Sequence, residues 1–157
     1  EIPLRLVGSE MCIRDRYNKA IGTQVITGQY NLDPDALAYV ADHWIHLDHD
    51  QKLTSSGGVS YAFAGHNRIG ANYVFGSGLR SDTEGVPNGG ELPSYLQVNL
   101  SAGHDFNADS GHPLHAQLAL INALDCSYQL RDGGGVGVFA PQWGPRRGAY
   151  LSLQQDF

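Results

Sequence analysis

Histidine and aspartate residues are concentrated in one short segment of the chain, residues 42–50. This segment, DHWIHLDHD, holds three histidines and three aspartates in nine residues. Imidazole and carboxylate groups suit zinc or iron. The first histidines have helical spacing and the later aspartates have strand spacing, so the pattern does not ensure one convergent site. We therefore expect polar pairing rather than metal binding. The candidate outer-loop residues are His43, His46, Asp48, His49 and Asp50.

Two further segments could bind ligands by their composition. Residues 133–137, GGGVG, are similar in composition to phosphate-cradling loops, but no parallel strand is predicted before them and no helix after them, so we expect a mobile outer loop. Arg146 and Arg147 could draw anionic ligands or lipopolysaccharide phosphates, although we favour a role in anchoring the last strand.

No enzyme chemistry is indicated by the sequence. No serine, cysteine or pair of carboxylates has an arrangement that argues for catalysis, so we assign no catalytic residue and no cofactor. The formal net charge of −6 argues against a nucleic-acid partner, which would require a basic surface. No run approaches the roughly 20 apolar residues of a membrane-spanning helix.

Residues 1–16 do not fit the pattern of the rest of the chain. The stretch Leu6–Arg16, LVGSEMCIRDR, resembles the translation of a transposase-type sequencing-library adapter. We therefore expect residues 1–16 to be a non-native segment and leave them out of fold reasoning. The native sequence, residues 17–157, is then expected to be a fragment of a longer protein.

Alternation of apolar and polar residues predicts about six long antiparallel strands. Most are about ten residues long or longer, which is typical of tilted membrane strands rather than of soluble sheets. In the last strand, one face carries Ala149, Leu151, Leu153 and Phe157, and the other carries polar residues. The strands are predicted near 20–30, 47–64, 67–78, 94–107, 113–126 and 146–157.

The connections between these strands alternate between short and long. Short turns are predicted at 65–67 and 108–111, and long links at 31–46, 79–92 and 129–145. Up-and-down membrane barrels have short turns on one side and long loops on the other. The first long link is predicted to hold a short helix, with Asp33 as its N-cap, Pro34 in the first turn, and an apolar face. That face comprises Leu37, Val40, Ala41 and Trp44.

Several segments, in one order, resemble the C-terminal part of the β-barrel of TonB-dependent outer-membrane receptors. The resemblance runs from Gly22 to Phe157. Its segments are LDHDQ (47–51), YVFGSGLR (73–80), PNG (87–89), LPSY (92–95), NALD (122–125) and residues 128–147. The resemblance implies a 22-strand transmembrane barrel, of which this chain would be the last six strands, with the plug domain absent.

The resemblance also implies a function for the parent protein. Such receptors lie in the outer membrane of Gram-negative bacteria and import siderophores, cobalamin or saccharides with energy from the TonB complex. Implied partners are therefore outer-membrane lipid, the TonB complex through the missing N-terminal part, the barrel-assembly machinery through the last strand, and a small nutrient ligand. Two alternatives stay open at this point: a passive porin-like or adhesin barrel, and a soluble β-sandwich that binds saccharide.

Overall fold

The structure is a computed structural model that describes residues 8–24, 34–133 and 140–156. Antiparallel strands and one short helix make up its regular structure. In chain order these elements are β1 (Ser9–Tyr17), β2 (Ile21–Gly22), α1 (Pro34–Asp42), β3 (Ile45–His46), β4 (Leu53–Phe63), β5 (Asn67–Gly76), β6 (Arg80–Thr83), β7 (Val86–Glu91), β8 (Tyr95–Phe106), β9 (Leu114–Ile121), β10 (Gln129–Arg131), β11 (Gln142–Trp143) and β12 (Gly148–Gln155).

Six of the strands form one open antiparallel sheet in the order β1-β4-β5-β8-β9-β12. From β4 onward, the strands of this sheet follow one another in space in the same order as along the chain. The predicted up-and-down order is therefore confirmed. Short connections, residues 64–66 and 107–113, join β4 to β5 and β8 to β9 at one end, which we call the short-turn end. The long-connection end carries α1 and the two-stranded pairs β2–β3, β6–β7 and β10–β11. No sheet formed by the described residues closes into a barrel.

The first strand of the sheet differs from the prediction. Within 20–30, the described residues contribute only the two-residue β2, which pairs with β3 rather than with the large sheet, and residues 25–30 lie outside the described part. The edge of β4 is instead paired with β1, from the segment we left out of fold reasoning. An edge strand offers a row of free backbone groups that any extended segment can satisfy. The assignment of residues 1–16 as non-native stays a prediction.

The predicted helix is confirmed, but only part of its apolar face is buried. It begins at Pro34 and ends at Asp42, and the predicted cap, Asp33, lies outside the described residues. Val40 is 3% exposed and packs against Ile45, whereas Leu37 is 47% exposed and Trp44, beyond the end of the helix, is 68% exposed. The small hydrophobic core therefore sits at the long-connection end, not within the large sheet. Among the described residues, no helix is long and apolar enough to cross a membrane.

The strand register brings apolar residues of all six strands onto one side of the sheet, the apolar face. One continuous row of cross-strand partners runs Met11, Val59, Ala71, Leu100, Leu120, Ala149. The next row runs Ser9, Tyr61, Ile69, Ala102, Leu118, Leu151. Because the side-chain period of a strand is two, the alternate residues form a second side, the polar face. The face predicted for the last strand is consistent with this register, since Ala149, Leu151 and Leu153 lie on the apolar face.

Candidate functional site

The segment 42–50 is built around one buried carboxylate. Asp50 is fully buried at the long-connection end. Its Oδ1 accepts a hydrogen bond from the backbone amide of Ala20 at 2.8 Å, and its Oδ2 lies 2.6 Å from Nδ1 of His46. Arg80 donates to the same Oδ2 through Nε and Nη2 at 3.2 and 3.0 Å. Asp50 therefore joins the two ends of the connection between β1 and β4 to each other and to Arg80, in the connection between β5 and β8.

The environment of Asp50 favours its charged form. Burial alone would raise the pKa of this carboxyl, because it removes water from the charge. The hydrogen bonds from Ala20, His46 and Arg80, together with the positive charge of Arg80, outweigh burial and lower the pKa of Asp50 below its usual value. The carboxylate is thus ionised and internally neutralised, which leaves it little capacity for an external cation.

A second acidic group extends this network to the surface. Arg80, itself buried, also contacts Glu91 at 3.1 Å, and Lys52 bridges to the same carboxylate. The hydrogen bond from Lys52 is the main reason that the pKa of Glu91 is lowered. Nearby Asn88, 2% exposed, donates to the carbonyl of His46 at 2.9 Å. Strand β7 is therefore tied to β3 by buried polar contacts.

Asp48 and His49 form a separate group, joined to the last long connection. His49 Nδ1 lies 2.6 Å from Asp48 Oδ1, and Arg131 Nη1 donates to Asp48 Oδ2 at 2.6 Å. The other guanidinium nitrogen of Arg131 faces His49. His43 belongs to neither group, since its ring stacks on Tyr39 with centroids 4.1 Å apart.

The candidate residues of segment 42–50 thus divide among three environments. In the described part of the chain, no three His, Cys, Asp or Glu side chains are placed to hold one metal ion. Their principal partners, Arg80 and Arg131, were not identified by the sequence reasoning, because each lies at least 30 residues from the carboxylate it contacts.

Arg146 and Arg147 lie at the start of the last strand, held by one aspartate. Arg146 donates to both carboxylate oxygens of Asp125, at 2.8 and 2.7 Å, and the backbone amide of Arg147 donates to the same group at 3.0 Å. These hydrogen bonds lower the pKa of Asp125 far below its usual value and raise the pKa of Arg146. This arrangement is compatible with the favoured anchoring role. The glycine-rich residues 134–137 lie outside the described part.

The polar face carries a chain of side-chain hydrogen bonds near the long-connection end. Asn99 donates to Asn72 at 2.7 Å, Gln97 donates to Asn99 at 2.9 Å, and the Tyr128 hydroxyl donates to Gln97 at 2.7 Å. Tyr128 also stacks on Tyr95 with ring centroids 4.5 Å apart. This chain joins β5, β8 and the last long connection across the polar face.

Charged groups meet on the polar face at the short-turn end. Arg68 donates to both oxygens of Asp105, at 2.7 and 3.2 Å. His115 lies between Asp105 and Asp156, with its ring nitrogens 2.9 and 3.3 Å from their oxygens. The polar face therefore carries charge and hydrogen-bonding groups along its length.

The apolar face of the large sheet is a further candidate functional surface. Its leucines are partly or largely exposed, up to 69% at Leu151. Within the described ranges, the only buried hydrophobic residues are Val40, Ile45 and Leu92, so no second layer covers this face. A shallow apolar depression of about 450 Å³ lies on it, lined by residues that include Ile13, Val59 and Leu96. The last-strand residues Ala149, Leu151 and Leu153 continue the face, and Phe157 lies outside the described residues.

Polar side chains on the apolar face are few, and most of them make hydrogen bonds. At the apolar-face positions of β4, β5, β8, β9 and β12 there is no Asp, Glu, Lys or Arg. Ser55 pairs with the Tyr73 hydroxyl at 2.9 Å, and Asn67 pairs with His104 at 2.9 Å. Gln155 donates to a backbone carbonyl at 2.9 Å. Such internal pairing is what a surface without access to water requires.

Comparisons of the chain with protein-family models, with curated proteins and with solved structures found no match.

Proposed function

We propose that this chain is part of the transmembrane β-barrel of an outer-membrane receptor that imports a scarce nutrient. The observation that carries the proposal is the apolar face. It spans the sheet in register, has no protein cover in the described residues, and is free of charged side chains from β4 onward. Hydrocarbon is the environment in which such a surface is stable, since leaving it in water costs about 25 cal/mol for each Å².

The dimensions of the strands support a membrane location. The five strands from β4 to β12 that belong to the sheet have 8 to 12 residues, close to the roughly 9–11 that a tilted strand needs to cross a bilayer. Polar groups on the opposite face would line a lumen. In such an arrangement the long-connection end faces outward, so the Asp50 and Asp48 groups stabilise the outer loops that capture ligand.

An active importer is favoured over a passive pore by the resemblance of six segments to TonB-dependent receptors. In that assignment, the parent protein lies in the outer membrane of a Gram-negative bacterium and contacts lipid, the TonB complex and the barrel-assembly machinery. The imported nutrient belongs to the siderophore, cobalamin or saccharide class. Further strands of the parent barrel would pair with the open edges of the six-stranded sheet.

Strand β1 fits this membrane surface less well than the other strands. It places Asp15 on the apolar face, opposite Ser55, and all nine of its residues are exposed. A charged residue on a lipid-facing position costs about 2–4 kcal/mol at mid-depth and less near the interface. This mismatch supports the proposal that residues 1–16 do not belong to the native barrel.

Spin-label accessibility tests whether lipid contacts the apolar face. The chain, with Cys12 and Cys126 replaced by serine, would carry a single cysteine label at Leu100 or Leu118 in phospholipid vesicles. Matched controls place the label on the neighbouring polar-face residue, Ser101 or Gln117. We expect labels on the leucine positions to collide with oxygen, and labels on the controls to collide with a water-soluble nickel complex. Equal accessibility of the two faces to the nickel complex would refute a lipid-facing surface.

Energy coupling separates import from passive diffusion. In cells that express the complete parent gene, nutrient uptake should stop when TonB is deleted. Uptake that continues without TonB would favour the porin-like alternative. A monodisperse, soluble monomer without detergent would favour the soluble saccharide-binding alternative, although no sheet of the described residues covers the apolar face as a sandwich requires.

A further inference from the structure

His115 stands between two carboxylates on the polar face, at the short-turn end. It lies near the start of β9, and its Nδ1 is 2.9 Å from Oδ1 of Asp105 on β8, the strand on one side. Its Nε2 is 3.3 Å from Oδ2 of Asp156, the residue that follows β12, on the other side. One imidazole ring therefore connects β9 to both of its neighbours.

This geometry requires the protonated form of His115. Both ring nitrogens face acceptor oxygens, so both must carry a hydrogen. Only the imidazolium ion has two N–H donors, because a neutral imidazole has one donor and one acceptor nitrogen. In the neutral form, one of the two contacts sets a nitrogen lone pair against a carboxylate oxygen, and that contact is repulsive.

The two carboxylates differ in how easily they can lose this contact. Asp105 is 8% exposed, and Arg68 donates to both of its oxygens. The side chain of Asp156 is 51% exposed, and its other oxygen accepts a hydrogen bond from Gln154. Water can replace His115 at the exposed carboxylate, whereas a buried acceptor that loses its donor is costly. A neutral His115 should therefore keep its hydrogen on Nδ1 and lose Asp156.

The neighbouring charges leave this change to His115 itself. Directly opposite His115, β12 places the neutral Gln154. In the connection before β9, Asp109 lies 3.8 Å from His66 and is 95% exposed. The charged and titratable groups of the surrounding elements are Arg68 on β5, Asp105 on β8, Asp109 and His112 in the connection before β9, and Asp156 after β12.

A different cation fastens each end of the last strand. Before β12, Arg146 pairs with Asp125 at 2.7 Å, and arginine stays charged at any physiological pH. After β12, the cation is His115, and an unperturbed histidine titrates at about pH 6.5. A change of pH around neutrality therefore acts on the second fastening and leaves the first intact.

We infer that His115 is a pH-sensitive latch on the end of the last strand. The latch is complete between the titration of carboxylates, at about pH 4, and that of imidazole, at about pH 6.5. As the pH rises through the imidazole titration, the proton on Nε2 passes to solvent and Asp156 is released, while Arg68 and Asp105 stay paired. The inference uses side-chain geometry alone and does not depend on the proposed function.

Nuclear magnetic resonance of the full chain in detergent micelles tests the latch, because the ring-nitrogen shifts report which nitrogen carries hydrogen. From about pH 5 to about pH 8, His115 should change from the doubly protonated form to one with hydrogen on Nδ1 only. The order parameter of the Asp156 backbone amide should fall over the same range, from about 0.85, typical of rigid backbone, to below about 0.6. The Arg147 amide, which donates to Asp125, should keep its order parameter.

Three variants assign the change to this group. In Asp156→Asn, the new amide can donate to the unprotonated Nε2, so the order parameter at residue 156 should no longer fall as the pH rises. In His115→Gln, the titrating group is gone, so mobility at residue 156 should not depend on pH. His112→Gln is the matched control, since His112 is an exposed histidine at the same end, and it should behave like the parent chain.

A neutral His115 with its hydrogen on Nε2 would overturn the proposal. So would an Asp156 amide whose order parameter does not change with pH in the parent chain, or one that changes equally in His115→Gln. Loss of the change in His112→Gln would assign it to another histidine and reject the latch. Spin labels measure the lipid contact of the apolar face separately, so failure of the latch and failure of the membrane proposal are distinguishable.

Discussion

At the scale of single residues, Asp50 has the strongest structural role among the candidate residues. It is fully buried, and it is the one group through which Ala20, His46 and Arg80 meet. Removing one partner of a buried, hydrogen-bonded ion pair is costly because the other charge stays buried without compensation, typically by about 3–5 kcal/mol. The loops at the long-connection end should therefore loosen if this carboxylate is lost or neutralised.

We predict a pH-dependent loss of local stability that Asp50→Ala removes. The pKa of Asp50 is lower in the folded chain than in the unfolded chain, so its contribution is fully present above the unfolded pKa of about 3.9 and is lost as the pH falls through the folded value. Hydrogen exchange of the Ala20 amide, which donates to Asp50, measures this directly. At neutral pH the amide should exchange much faster in the variant, and below pH ~4 the parent chain should approach the variant.

Asp42→Ala serves as the control for this experiment. Asp42 is exposed at the end of α1, so its replacement should leave exchange at Ala20 unchanged. Equal protection of the Ala20 amide in the parent chain and in Asp50→Ala at neutral pH would show that the carboxylate does not hold the loop.

The sequence located the polar segment at this scale but not its partners. Three histidines and three aspartates in nine residues are visible without a structure. Which of them is buried depends on where Arg80 and Arg131 are placed by other connections, and no local spacing encodes that placement. Asn122 illustrates the same limit: it is fully buried, and its side chain bonds Cys126 and the carbonyl of Pro145, 23 residues away.

At the scale of elements, the presence and facing of the strands were predicted more successfully than their first and last residues. Period-two alternation specifies which residues share a face, so β5 and β8 begin and end within two residues of the prediction. Polar contacts set the remaining ends. The strand predicted at 47–64 starts only at Leu53, because Asp50 is drawn into its buried network. The strand predicted at 113–126 stops at Ile121, because Asn122 takes a positive φ of 48° and starts a turn.

The last long connection is fastened to the polar face through Tyr128, and Gly144 makes room for that ring. A side chain at Gly144 would overlap the ring of Tyr128. We predict that Gly144→Ala displaces Tyr128 and breaks its hydrogen bond to Gln97 and its stacking on Tyr95. The loss should be about 1–3 kcal/mol, the usual cost of overpacking, measured by denaturant unfolding in micelles.

Gly111→Ala is the matched control for Gly144→Ala. Gly111 lies in a short turn with open space around the position of an added methyl group, so this change should have little effect. A Gly144→Ala variant as stable as the parent chain would show that the Tyr128 contact is not needed to hold the connection.

At the scale of the whole molecule, the described residues provide no hydrophobic core for the large sheet. Leu118, Leu151 and Leu153 are each more than half exposed, at 53%, 69% and 63%. Stability must therefore come from whatever covers the apolar face. We predict that the purified chain aggregates or stays unfolded in aqueous buffer and becomes monodisperse only above the critical micelle concentration of an added detergent, as measured by light scattering.

A sharp, cooperative thermal transition in aqueous buffer would contradict the prediction that the chain needs detergent to fold. As a matched comparison, serine at Leu118 and Leu151 should reduce aggregation, whereas serine at polar-face positions Gln117 and Tyr150 should not.

The overall sheet order could be anticipated from alternating short and long connections. The strand that pairs with the edge of β4 could not be predicted, because edge pairing depends on which extended segment lies nearby and not on a pattern within β4.

The placement of successive strands beside one another has a consequence for how such a sheet can change in size. From β4 onward, each strand of the sheet pairs, among the described residues, only with the strands on its two flanks. Duplication or deletion of one hairpin alters the width of the sheet by two strands and leaves the register of the others intact. Variation in strand number among proteins built this way therefore requires no repacking of an interior, only the gain or loss of whole repeats.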